Sequence, residues 1–442
     1  MAKAIKSFWD KAVKLYKSGA EDPSKDTYEE TKSPSYAAYA ACGGFALLIF
    51  VVYYLMAFVL CNDEGLQDLK AHAFFAEEFY LKKDLMLKAW LRVPYCMWHI
   101  IVKVLSSRCG FPLFDAASFT YAWFGVLSFA VTAWFIYAVT KHYTGRNTLM
   151  FSAVGSLILS FVGPLSCWWF GDAYAGSFSP NPLHNPTHMA VKSFGFLVLM
   201  AGMDIIRRYH DEKTIFFKKE KNLYLYFGIF LFLSAVTKPT FMYMLLPAGF
   251  IVVLADLVTG LIRKNGMADK VGNAVWKLAV ASLPSIAYLL VEYFAFYYWG
   301  EATNDSAVII TRPLTVWHFY TVDVPTAVIL GMFFPIYMLI THPGYFLKTL
   351  EGKLALICYA VGTAEFTFLA ESGERMDAAN FSWCMMAGMG VFFTVAVVRL
   401  ILTTLSSKKT KAHIANVMAG WFLVLLHVYS LLTYYHLLDD IL

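Results

Sequence analysis

Long apolar runs of about 20 residues recur along almost the whole chain, and short polar segments separate them. A helix of about 20 apolar residues is long enough to cross a bilayer core of about 30 Å. The pattern therefore predicts an all-α polytopic membrane protein with about eleven transmembrane helices. We place the spans at 38–60, 117–140, 148–166, 187–206, 222–237, 239–259, 273–297, 323–341, 353–370, 381–403 and 413–436.

The spacing of these runs predicts a simple domain organisation. Residues 1–37 are basic and amphipathic, which is typical of a helix on the cytosolic membrane surface. Residues 38–442 form a single transmembrane domain, because no segment between spans is long enough to build a soluble domain. Its longest polar segment, residues 61–116, directly follows the first span.

The basic residues predict how the chain is oriented. Lys and Arg concentrate in the N-terminal segment and in every second loop, at 141–147, 207–222, 263–270, 341–353 and 406–413. Loops rich in Lys and Arg stay on the cytoplasmic side. We therefore expect a multi-pass protein of the cell membrane with a cytoplasmic N-terminus and an extracytoplasmic C-terminus. The outer loops are then 61–116, 167–186, a tight turn at Lys238-Pro239, 298–322 and 371–380.

Composition agrees with a membrane protein and excludes some functions. The chain is 59% hydrophobic and 15% charged, whereas soluble domains are roughly half apolar and a quarter charged. The net charge of +5 lies mainly in the predicted cytoplasmic loops, so the lipid bilayer is an expected partner and nucleic acid is not. The seven cysteines show no CxxC or Cys/His spacing, and no zinc or redox motif follows.

The first outer loop holds the strongest candidates for catalysis. Asp68 and His72 are four residues apart and would share one face of a helix. The Asp could fix the tautomer of the His or serve as a base itself. The alternative is an ordinary solvated loop helix. Asp63 and Glu64 compete with Asp68 for the role of the acid, and residues 80–107 interleave basic with apolar residues, as an interfacial helix does.

The stretch SPNPLHNPTH, residues 179–188, lies between two apolar runs. Three X-Pro steps favour a stiff, non-helical segment. Such backbone is tolerated at membrane depth where it is buried in protein or lines a watery cavity. Asn181, His184, Asn185 and His188 could point into such a cavity. The two histidines lack a third nearby ligand, so no metal site is predicted; the alternative is a proline-rich connector with helix-capping residues.

Lys and Arg normally concentrate on the cytoplasmic side, but four of them lie near the predicted outer face: Lys192, Lys238, Arg312 and Arg375. Together they suggest a phosphate site, since ammonium and guanidinium groups both bind phosphate. The alternatives are snorkelling of Lys238 to the headgroups and pairing of Arg375 with nearby acids. Two intramembrane carboxylates, Glu292 and Glu365, are functional candidates as well.

The run Asp68-Leu-Lys-Ala-His72-Ala-Phe-Phe-Ala76, in a long first outer loop, resembles the GT-C superfamily of membrane glycosyltransferases. Asp63-Glu64 resembles the paired-acid motifs of the same superfamily. The resemblance implies transfer of a sugar from a polyprenyl-phosphate-linked donor to an envelope glycan or a lipid-linked acceptor. It implies no fixed cofactor, because some members use a divalent cation such as Mg²⁺ or Mn²⁺ and others use none.

The resemblance also implies roles for the candidate residues. Asp68 would activate or orient the acceptor hydroxyl, and His72 would support it. The donor phosphate would be held by Arg375, Lys238, Arg312 and Lys192. The sugar and acceptor pocket would be lined by Asp63, Glu64, His184, Asn185, His188, Glu371, Glu374 and Asn380.

Two functions of other classes remain open. A transporter or flippase for a lipid-linked or anionic solute would line its path with the same cations. Transporters usually show internal repeats and a site near the midplane, but this chain has no evident repeat and its polar clusters lie in the outer loops. A non-catalytic assembly or polysaccharide-binding subunit is the third option, and it would tolerate loss of Asp68.

Overall fold

A computed structural model describes residues 36–62, 68–79, 95–165, 178–264, 266–294, 307–408 and 410–434. Most of these residues are helical. The helices are α1 Tyr36–Asn62, α2 Asp68–Glu78, α3 Met97–Arg108, α4 Leu113–Thr144, α5 Leu149–Leu159, α6 Pro186–Tyr209, α7 Leu223–Thr237, α8 Thr240–Arg263, α9 Met267–Phe294, α10 Val324–Gly331, α11 Phe333–Thr341, α12 Pro343–Lys348, α13 Leu350–Phe368, α14 Ser382–Leu405 and α15 Lys411–Tyr434. Two short strands, β1 Val308–Ile310 and β2 Leu369–Glu371, form an antiparallel pair.

Every predicted span coincides with an apolar helix or helix pair. Seven described helices are long and apolar enough to cross a membrane, and α10 with α11 makes eight if they form one bent span. The other predicted spans correspond to α5 and α7, which have 11 and 15 residues, and to α13, which carries Glu351, Lys353 and Glu365. The multi-pass helical membrane class is thus confirmed, and the count of eleven stays a prediction.

Helix α14 is the centre of the bundle. Its most apolar 18-residue window is 100% buried, whereas that of α9 at the periphery is 17% buried. Glycines let α13 approach α14 closely: a Cβ on Gly362 would lie 2.4 Å from the carbonyl oxygen of Cys384, and one on Gly388 would lie 2.8 Å from that of Cys358. Because lipid offers no hydrophobic driving force between helices, close packing of this kind is one of the interactions that hold membrane helices together.

A sharp bend of 75° separates α10 from α11. The bend frees the amide of Phe334, which donates to Nε2 of His427 over 3.3 Å. Nδ1 of the same buried ring lies 2.5 Å from the carbonyl oxygen of Gly163. A neutral imidazole with its proton on Nδ1 satisfies both contacts, so His427 stabilises the bend and ties it to the segment after α5.

Three of the basic segments meet at one end of the bundle, which we call the basic end. Arg207 lies 3.5 Å from Glu351 and 3.1 Å from Glu212. Lys270 pairs with Asp211. These contacts join three of the segments that the charge pattern assigns to a common side. The opposite end, which we call the site end, carries residues 178–185 and helices α2 and α3.

The contact between α13 and α14 generates a first prediction. Gly362→Ala places a methyl group against the backbone of Cys384 and should lower stability by about 1–3 kcal/mol through overpacking. Gly249→Ala is the matched control, since nothing lies within 4 Å of its Cβ position, and it should be neutral or slightly stabilising. Thermal unfolding in detergent measures both; equal melting temperatures would contradict the packing argument.

Candidate functional site

The proline-rich segment is non-helical up to Asn185 and continues into α6, which begins at Pro186. Asn181 fastens it to the end of α5: its Nδ2 donates to the carbonyl oxygens of Leu159 and Val162 over 2.8 and 2.9 Å. Lys192 donates to Oδ1 of Asn181 over 2.6 Å. Asn181 and Lys192 therefore anchor this segment, and a phosphate-binding role for Lys192 stays a prediction that this contact does not support.

Asn185 is the central residue of the site. Its Oδ1 accepts from the backbone amide of His188 over 2.9 Å, from the hydroxyl of Thr187 over 3.0 Å and from Nζ of Lys238 over 3.1 Å. Its Nδ2 donates to Oδ2 of Asp68 over 2.9 Å. Three donors and one acceptor fix the orientation of the amide. Asn185 thus caps α6 and also joins a carboxylate to an ammonium.

Lys238 lies in the turn between α7 and α8, outside both helices. Its Nζ is 4.1 Å from the ring centroid of Trp383 and 5.9 Å from that of Tyr95, both within cation–π range. Burial lowers the pKa of Lys238 to about 7, and the charge of Asp68 opposes this shift. The side chain is only 6% exposed, so the structure does not support snorkelling to the headgroups.

His72 does not support Asp68, which corrects the prediction. Its Nδ1 lies 2.9 Å from Nε2 of His99 on α3, whereas Asp68, the first residue of α2, faces Asn185. Burial, with a smaller effect of Lys238, lowers the pKa of His72 to about 3. Burial also lowers the pKa of His99 well below its usual value. One hydrogen bond between these two neutral rings stabilises the contact between α2 and α3.

His184 and His188 flank Trp383, with ring centroids 5.9 and 5.3 Å from the indole. They support the aromatic surface on which Lys238 lies. Nδ1 of His188 is buried without a hydrogen-bond partner among the described residues. Burial lowers the pKa of His184, although Asp68 opposes the shift. Within the described ranges no cluster of three or more His, Cys, Asp or Glu side chains is placed to hold a metal ion.

A cavity of about 390 Å³ opens beside Lys238. Its lining combines charged groups with aromatic rings: Lys238, Arg375, Glu292, Tyr95, Tyr243 and Trp383. Glu292 on α9 is 7% exposed, and its Oε2 has no hydrogen-bond partner in the described part of the chain. A buried carboxylate oxygen without a donor is costly, which makes Glu292 a candidate to face a ligand of this cavity.

Glu371 and Asn380 orient Arg375. Nε of Arg375 donates to Oε2 of Glu371 over 2.9 Å, and Nδ2 of Asn380 donates to the same oxygen over 2.6 Å. Glu371 is held in turn by β2, where it pairs with Val308. All three side chains line the cavity. Structural pairing of Arg375 with an acid, the alternative raised by the sequence, is present, and it also fixes the guanidinium beside the cavity.

Some predicted residues are not brought to this site. Arg312 is exposed on the turn after β1 and does not line the cavity. Asp63 and Glu64 lie outside the described residues, as does the side chain of Glu374. Conversely, the sequence gave Tyr95, Tyr243 and Trp383 no role, because a single aromatic residue in so aromatic a chain carries no signal before its neighbours are known.

No protein-family model matches this chain, and no curated protein matches it. The resemblance to GT-C glycosyltransferases therefore stays a prediction that depends on the motif around Asp68. The geometry of the site is an independent observation.

The buried position of Lys238 generates a second prediction. With a pKa near 7 in the folded state and about 10.4 in the unfolded state, the unfolded chain binds more protons between these values. Stability contributed by this residue therefore rises with pH above about 7, by at most about 1.4 kcal/mol per pH unit. Lys238→Met should lose that slope in melting temperature measured from pH 6 to 9. Lys213→Met, at an exposed position of the basic end, controls for the lost charge; identical slopes in all three proteins would contradict the prediction.

Proposed function

We propose that the chain is a GT-C-type membrane glycosyltransferase acting at the site end of the bundle. It would move a sugar from a polyprenyl-phosphate-linked donor to an envelope glycan or a lipid-linked acceptor. In this proposal the site end faces the extracytoplasmic side of the cell membrane and the basic end faces the cytoplasm. The reaction would be an inverting transfer.

The observation that carries the proposal is the position of the cavity. It joins buried Lys238 to two tyrosines on the helix surface, Tyr243 on α8 and Tyr293 on α9, which are 41% and 37% exposed. In a membrane this surface faces lipid. A ligand that is itself anchored to lipid could thus enter sideways between α8 and α9, with its headgroup at the polar end and its chain outside.

The charges of the cavity suit a phosphate at the leaving position. Lys238 supplies an ammonium, and Arg375, oriented by Glu371 and Asn380, supplies a guanidinium with N–H donors in a fixed plane. Cations placed where negative charge develops stabilise a transition state more strongly in a site that excludes water. Glu292 and the aromatic rings would contact the hydroxyls and faces of the sugar.

Asp68 would act on the acceptor. Its Oδ2 is held by Asn185, and Oδ1 would take the proton from the acceptor hydroxyl. The acceptor oxygen then bonds to the anomeric carbon while the bond from that carbon to the phosphate oxygen breaks. The electron pair of that bond leaves with the polyprenyl phosphate, beside Lys238 and Arg375. Asp68 does not itself line the cavity; Asn185 holds it next to Lys238, and the acceptor would approach from the Asp68 side.

A transporter or flippase is the second candidate, and one observation favours it: the same opening between α8 and α9 would also admit a lipid-linked cargo. A flippase that is not coupled to protons would tolerate replacement of Asp68, whereas the proposed enzyme would not. Asp68 therefore distinguishes the two functions, and it equally distinguishes the enzyme from a non-catalytic assembly subunit.

The test is transfer of labelled sugar from a panel of polyprenyl-phosphate sugars in proteoliposomes. Asp68→Asn should reduce the rate by about 100-fold or more, as loss of a general base does. Arg375→Ala should reduce it by a similar factor, as loss of a transition-state donor does. Arg312→Ala, a cation of the site end outside the cavity, and Asp269→Asn, an acid of the basic end, are matched controls that should retain activity.

Three outcomes would count against the enzyme. Donor that reaches the opposite leaflet without transfer, and without an effect of Asp68→Asn, would favour the flippase. Binding of a glycan with no transfer from any donor would favour the assembly subunit. Equal losses of activity in Arg375→Ala and Arg312→Ala would show that the cavity is not the active site.

A further inference from the structure

A second opening has its mouth at the basic end and shares no lining residue with the cavity beside Lys238. It is a groove of about 770 Å³ on the surface between α7 and α9. Its walls are large apolar side chains, Leu225, Ile229 and Phe232 on α7 and Val280 on α9, of which Leu225 is 60% exposed. These side chains face the lipid region of the membrane.

Small side chains form the floor of the groove. A Cβ on Gly228 would lie 2.8 Å from the carbonyl oxygen of Ala281, so the two helices touch at this point. Pro284 continues the floor along α9. Close backbone contact between two helices, with long side chains on either side, leaves a channel that runs along their line of contact.

The mouth of the groove is cationic and aromatic. Arg208 from the end of α6, Lys221 before α7 and Lys277 on α9 line it. Tyr224 and Trp276 lie beside them, with Nζ of Lys277 5.5 Å from the Tyr224 ring centroid. No acidic side chain lines the described part of this groove. Aromatic rings and snorkelling cations at one depth are typical of the headgroup level.

We propose that this groove binds one anionic glycerophospholipid. Its phosphate would contact Arg208, Lys221 and Lys277, and one acyl chain would lie over Gly228 and Ala281. From Tyr224 to Leu233 the groove follows α7 for about 14 Å at 1.5 Å per residue, which suits an acyl chain. A zwitterionic headgroup would bring its own cation against these three, so charge selects an anionic lipid.

The proposal does not depend on glycosyl transfer, because the lipid phosphate would bind at the basic end, away from the cavity beside Lys238. A lipid here would stabilise the contact between α7 and α9. Helix α7 ends at the turn that holds Lys238, and α9 carries Glu292. The bound lipid would therefore hold two elements of the candidate site in place.

The experiment uses the full-length protein purified in detergent and supplemented with phosphatidylglycerol or phosphatidylcholine. Native mass spectrometry reports the retained lipid, and thermal unfolding reports stabilisation. We expect the protein to retain phosphatidylglycerol in preference to phosphatidylcholine and to melt at a higher temperature with it. Lys221→Gln/Lys277→Gln should weaken that binding by about tenfold. Lys218→Gln/Lys219→Gln, an exposed pair outside the groove with the same change in charge, should bind as wild type.

Several outcomes would overturn the proposal. Equal retention of both lipids would show that charge does not select the ligand. Equal weakening in both double variants would show general attraction to a basic surface. The same stabilisation by inorganic phosphate would show that the apolar groove contributes nothing, and the site would then be a phosphate site without a lipid.

Discussion

The side-chain amide of Asn185 bridges the two opposite charges of the candidate site. It donates to Asp68 and accepts from Lys238, and it also caps α6. An amide can do this because it presents a donor and an acceptor in one rigid plane. Three separate parts of the chain, α2, the proline-rich segment and the turn between α7 and α8, are thereby fixed relative to one another at the site end.

The remaining polar contacts of the site end support this arrangement. Asn181 and Lys192 hold the proline-rich segment on α5, and the histidines of that segment hold Trp383 under the ammonium of Lys238. A buried ammonium needs such partners, because burial alone disfavours its charge. The same burial brings its pKa close to neutrality. A phosphate bound in the cavity would therefore raise the pKa of Lys238 and favour its charged form.

The sequence predicted the helices well, because runs of apolar residues are local features. It also predicted a non-helical segment at 179–188, of which 186–188 instead begin α6, and it singled out Asp68, Asn185, Lys238 and Arg375. It could not predict their partners, since Asn185 and Asp68 are separated by 117 positions. The errors have the same origin: His72 is four residues from Asp68 but bonds to His99, 27 positions away. Lys192 was singled out as a phosphate ligand, and its partner in the structure is Asn181.

A double-mutant cycle on Asp68 and Lys238 tests the central claim most directly. Melting temperatures and unfolding free energies would be measured for Asp68→Asn, Lys238→Met and the double variant, in the wild-type background and again with Asn185→Ser, which keeps a helix cap but removes the bridge. We expect a coupling energy of about 0.5–3 kcal/mol between the two charges, and its loss when Asn185 is replaced. Additive effects in the wild-type background, or a coupling that survives Asn185→Ser, would contradict an account in which this amide joins the two charges.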